Sequence, residues 1–104
     1  MIVTTTESVP KKEVAKILGL VFGSCVKTKH IGKDIRAGLR TIVGGEVKGY
    51  TAMMEEARET ATQRMMDRAK SLGADAVICA RYTTAVTMKG AAEIIAFGTA
   101  VKLE

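Results

Sequence analysis

Apolar positions along the chain switch between two periods, and the switches mark out the elements. Residues 1–6 (Met1-Ile2-Val3-Thr4-Thr5-Thr6) are rich in β-branched side chains and predict a short strand. Ser8-Val9-Pro10 has the form of a helix start, a capping hydroxyl followed by a proline in the first turn. Val14, Ile17 and Leu18 would supply the apolar stripe of that short helix, and Gly19 its stop. From Leu20 to Lys29 the pattern alternates and predicts a strand. Phe22 and Val26 share one face of it, while Cys25, Lys27 and Lys29 share the other.

Ile31, Ile35, Leu39 and Ile42 recur at helical spacing, so residues 33–43 read as a short amphipathic helix with Lys33, Arg36 and Arg40 on its basic face. Gly44-Gly45 ends it. A long helix follows over 47–72, with Tyr50, Met54, Ala57, Ala61, Met65, Ala69 and Leu72 on its buried side. Glu55 with Arg58, and Asp67 with Lys70, are spaced to pair on the outer side. Gly73 closes this helix, Ala74-Asp75 leads into a strand over 76–87, and Lys89-Gly90 turns the chain into a last strand over 92–102.

The last strand is apolar on both sides, but unequally. Ile95, Phe97, Thr99, Val101 and Leu103 alternate with Ile94, Ala96, Gly98, Ala100 and Lys102. The small face suits close approach of the long helix, which offers Ala57, Ala61 and Ala69. A strand apolar on both faces is normally buried on both. The bulky face is therefore expected to take at least part of its cover from a neighbouring subunit.

Composition narrows the class. With 47% apolar residues, 26% charged and one proline in 104 residues, the chain is expected to fold as a single domain. No stretch approaches the ~20 apolar residues of a membrane span, and the N-terminus lacks the regions of a signal peptide. The expectation is a soluble cytoplasmic protein with no membrane partner. Two isolated cysteines, Cys25 and Cys79, are expected to be reduced. A net charge of +5 permits an anionic partner.

A set of motifs runs through the chain in order: Val9-Pro10, Gly19-Leu20-Val21, and His30-Ile31-Gly32-Lys33-Asp34-Ile35-Arg36-Ala37-Gly38-Leu39-Arg40. Ile42-Val43-Gly44-Gly45-Glu46, Tyr50, Ala57-Arg58, Leu72-Gly73-Ala74-Asp75-Ala76-Val77 and Gly98-Thr99-Ala100-Val101 complete it. Taken together the set resembles the YbjQ-like family, whose label attributes heavy-metal binding to it. The resemblance implies an α+β fold, a two-layer subunit with a mainly antiparallel sheet packed on one long helix, similar to a dodecin subunit. It further implies assembly into a pentameric ring, and it brings no established activity.

The candidate chemistry is sparse. Structural zinc sites need four N or S ligands, usually in closely spaced pairs; here the soft donors are Cys25, Cys79 and His30, with no such spacing. Cys25 shares a strand face with Lys27 and Lys29, whose charge favours a thiolate, so Cys25 with His30 is the candidate set for a soft divalent or monovalent metal. Met53, Met54, Met65, Met66 and Met88 could serve copper(I), but read as core filling, and Cys79 as a small buried hydrophobe.

For an anionic small ligand the candidates are Arg36 and Arg40 beside Gly44 and Gly45, whose amides open the long helix. Lys27, Lys29, Lys33, Arg36 and Arg40 could extend this into a basic stripe for nucleic acid. Four aromatics (Phe22, Tyr50, Tyr82, Phe97) offer few stacking platforms against that reading. No hydrolase elbow, zinc-protease, P-loop or dinucleotide motif is present. Glu55, Glu56 and Glu59 read as a solvated face. A binding or scaffold role in a homo-oligomer is favoured over catalysis, which would need a site built at a subunit boundary.

Overall fold

The computed structural model describes residues 1–28, 48–88 and 91–104, the side chains of Lys48 and 86–88 excepted. Five elements run in order: β1 (Ile2–Val3), β2 (Val14–Thr28), α1 (Lys48–Ser71), β3 (Ala76–Met88) and β4 (Ala91–Leu103). The strands form one sheet of order β1-β3-β4-β2. β1 pairs with β3 in parallel, and the other two pairings are antiparallel. With α1 laid across β2 and β4, this is a two-layer α+β unit. The helix expected over 33–43 lies outside the described residues.

The helix α1 forms because its sequence is dominated by strong helix formers, and it buries one stripe, Ala57, Ala61, Met65 and Ala69. Tyr50 and Leu72, assigned to that stripe from spacing, are exposed at its two ends. The helix stops where Gly73 takes a left-handed φ of 80°. Its amide donates to Lys70 at 2.9 Å and that of Ala74 donates to Ala69 at 3.0 Å, the paired bonds of a Schellman end. Asp75 then fastens the sheet by accepting the Leu103 amide on Oδ2 at 2.9 Å. The stretch Leu72 to Val77 is thus a joint between helix and sheet.

The helix expected from Ser8 to Gly19 does not form. Residues 4–13 make a turn, with Lys12 N–H on the Val9 carbonyl at 3.1 Å, and β2 has already begun at Val14. The misleading helical spacing of Val14, Ile17 and Leu18 comes from an irregularity between Ile17 and Gly19, where the register on β4 shifts by a residue. Gly19, at φ 129°, is a bulge glycine rather than a helix stop.

The main core lies between α1 and the small face of the sheet. Val21, Cys25, Val77, Ala80, Ile94, Ala96 and Ala100 pack there against the helix stripe. Gly23 marks the closest approach, since a Cβ on it would collide with the Ala61 carbonyl oxygen and the Met65 amide. On the opposite face a smaller cluster of Val9, Ala76, Ile78 and Val101 is covered by the N-terminal turn. That cover stops at one end of the sheet.

Candidate functional site

The strand β2 carries most of the sequence-derived candidates, and its faces are the reverse of those expected. Cys25 points into the core beneath α1 and is 4% exposed, so it is not the accessible thiol that its lysine neighbours suggested. Phe22 and Val26 do share the other face, as their spacing predicts, but that face is the open side, with the two at 43% and 53% exposed and Leu20 at 71%. The parity follows from space: the helix backbone rests on Gly23 and leaves room beside it for Val21 and Cys25 alone.

Cys79 is half-buried against the outer cluster and holds a φ of 55° at a register shift between Ile78 and Arg81. The two thiols therefore belong to different clusters. Among the described residues no three His, Cys, Asp or Glu side chains converge as metal ligands, so these residues by themselves do not make a chelate. His30, Arg36, Arg40, Gly44 and Gly45 lie outside the described residues, as do Lys29 and Lys33. Of the basic stripe Lys27 is described, and its ammonium is bound to Glu56 at 2.9 Å. The Glu56 hydrogen bond and charge hold the Lys27 pKa above its ordinary 10.5.

Two surfaces stand out. One is the outer face of β2 and β4. The register sets Leu20 opposite Thr99, Phe22 opposite Phe97, and Ser24 opposite Ile95. Directly opposed residues share a face, so this side presents a band of large apolar groups beyond the reach of the N-terminal turn. At the β2 edge, Arg68 places its guanidinium 4.4 Å from the Phe22 ring centroid, and Arg64 donates to the Ser24 carbonyl at 2.7 Å.

The other surface is a groove of about 550 Å³ on the helix side, between α1 and β3. It exists because α1 covers β2 and β4 and leaves the inner face of β3 largely bare. Glu55, Arg58, Glu59 and Met66 form its helical wall, and Tyr82 the strand wall. Thr62 ties the walls together, lying 2.7 Å from the Tyr82 hydroxyl and donating to the Arg58 carbonyl at 2.7 Å. Gln63, also in the lining, donates its amide to Asp67 at 2.9 Å. Spacing alone had set the glutamates on a solvated face, and had paired Glu55 with Arg58 and Asp67 with Lys70. Neither pair forms.

The fold is a small α+β unit whose outer sheet face is, among the described residues, covered at one end only, with a polar groove on the other side. The family model described as "Putative heavy-metal-binding" matches residues 1–104, and the chain belongs to this YbjQ family. A UPF0145 protein of Archaeoglobus fulgidus is 60% identical over 103 residues, 99% of this chain and 95% of that protein. A UPF0145 protein of Thermotoga maritima is 59% identical over 104 residues, covering 100% of this chain and 98% of its own. The crystal structure of a protein of unknown function from Pediococcus pentosaceus, of the DUF74 family, is similar at a TM-score of 0.64 and 18% identity. It covers 100% of this chain and 98% of that one, and the likeness is one of fold. Among the described residues no helix is long and apolar enough to cross a membrane.

Proposed function

We propose that this chain is the subunit of a cytoplasmic homo-oligomer with a binding or scaffold role, closed as a pentameric ring. The observation that carries the reading is the outer sheet face. A sheet open to water on one side normally alternates apolar-in with polar-out, yet Leu20, Phe22 and Val26 stand exposed beside half-buried Ile95 and Phe97. Contiguous patches of this kind mark interaction surfaces. A second copy is the fitting partner, because among the described residues the sheet has unpaired strand length on both flanks: β2 at one edge, and β3 beyond Ala80 at the other. Joining unlike flanks is a head-to-tail contact, the kind that closes into rings.

The family description adds a soft metal ion as the ligand class, for which we propose Cys25 and His30 as donors. With Cys25 beneath α1, such a site would be approached from the core rather than from solvent. Native mass spectrometry on protein purified without chelator or metal-affinity resin tests both parts. A five-subunit species is expected, carrying retained metal that Cys25→Ser removes, and Leu20→Asp with Phe22→Asp is expected to yield folded monomer. A monomeric parent chain at micromolar concentration would sink the assembly. Metal uptake indifferent to Cys25→Ser would sink the donor assignment and leave the ring standing.

A further inference from the structure

We infer that the groove between α1 and β3 is a binding site for a cationic amino acid, a small molecule bearing one carboxylate and two positively charged nitrogen groups. The volume of about 550 Å³ falls within the range of small-ligand sites. The groove lies on the helix side of the sheet, opposite the outer apolar face.

Hydrogen-bond accounting fixes what the groove can offer. The single Thr62 hydroxyl proton is committed to the Arg58 carbonyl, so the 2.7 Å contact with Tyr82 is one in which the phenol donates. The phenolic oxygen is left as an acceptor. One of the two Gln63 amide N–H groups is spent on Asp67, which leaves the second as a donor and the carbonyl oxygen as an acceptor. Glu55 and Glu59, one helical turn apart, add two carboxylates to the same lining. The phenolic oxygen and the two carboxylates call for N–H donors, and the Gln63 carbonyl can take one as well.

The charged donor of the lining is Arg58, set between the two glutamates in sequence. At three residues from Glu55 it is spaced for an ion pair, yet the ion pairs among the described residues are Lys27–Glu56 and Lys102–Asp75. Its fork of donors matches one carboxylate. Two carboxylates against one guanidinium make the lining net negative by one charge, the complement of a ligand with two positive groups and one negative. The Tyr82 ring and Met66 supply apolar surface for an aliphatic stem, and an aromatic face attracts an ammonium or guanidinium. Lysine, ornithine and arginine share this chemistry. A simple diamine lacks the carboxylate, and an acidic amino acid has the wrong charge.

Chemical-shift titration of the intact protein with lysine, arginine and cadaverine (lysine without its carboxylate) decides the matter. The inference expects saturable shifts at Thr62, Met66 and Tyr82 with both amino acids and about tenfold weaker binding of cadaverine. Glu55→Gln with Glu59→Gln should weaken lysine by about tenfold or more, while Arg58→Gln should weaken lysine and leave cadaverine unweakened. These side chains lie on the exposed helix surface, so the variants retain the fold, which their spectra report directly. The inference is overturned by the absence of saturation with either amino acid at about 10 mM. Cadaverine binding as tightly as lysine, or affinities untouched by all the variants, overturns it as well. Subunit count, read separately, is independent of every one of these outcomes.

Discussion

The two faces of β4 solve opposite problems with the same thirteen residues. On the helix side Ile94, Ala96, Gly98 and Ala100 are buried, and three of the four are small. The outer side carries Ile95, Phe97 and Thr99, larger and only half-buried. The inner face fixes geometry: small residues let α1 sit close to the sheet, and at Gly23 the helix backbone leaves no room for a side chain at all. The outer face carries larger apolar groups, and the single chain leaves it partly wet. Precision of fit and capacity for adhesion are thus separated, one to each side of the strand.

The strongest break of this comparison is at Gly23. Gly23→Val would drive a branched side chain into helix backbone that has no rotamer to give, and a loss of about 4 kcal/mol is expected in urea unfolding. Next comes a matched pair on β4. Ile94→Ala empties a fully buried site and should cost about 3 kcal/mol whatever the protein concentration. Ile95→Ala, one residue along on the outer face, should cost under about 1 kcal/mol in the dissociated subunit. In the proposed assembly its main effect should appear as a change in the concentration at which chains associate. Equal, concentration-independent costs at the two positions would erase the distinction between the faces.

The smallest effect concerns the rim. Because Glu56 raises the Lys27 pKa, the folded chain holds that proton more tightly than the unfolded one. The stabilisation is complete below the ordinary value of 10.5 and is lost as pH rises through the raised value. Glu56→Gln should remove this alkaline step by lowering stability slightly at neutral pH, where the pair is intact, and leaving it unchanged above the raised value. Urea midpoints on either side of 10.5, at low and high salt, provide the measurement.

Much of this could be read from the residues, and the failures have physical causes. The long helix, its alanine stripe and the small face of β4 were legible because a steric demand leaves a mark in side-chain size. Gly73 was legible because a left-handed helix end asks for glycine. The stretch from Val14 to Gly19 was not, since a bulge breaks strict alternation and briefly mimics a helical period. The parity of β2 was misread from the company Cys25 keeps, although Val21-Phe22-Gly23 already held the answer in its one residue without a side chain. The groove had no local signature. Tyr82 and the Glu55 to Met66 wall meet through the lateral placement of α1, a property of the assembled layers that no single segment encodes.

Arg64 and Arg68 give the far margin of β2 an occupant. Among the described residues no strand pairs with the far edge of β2, and a bare edge of fifteen residues is an invitation to indiscriminate pairing. A guanidinium on the Ser24 carbonyl and another over Phe22 put charge along part of that margin, one of the ways in which an edge is kept from recruiting stray strands.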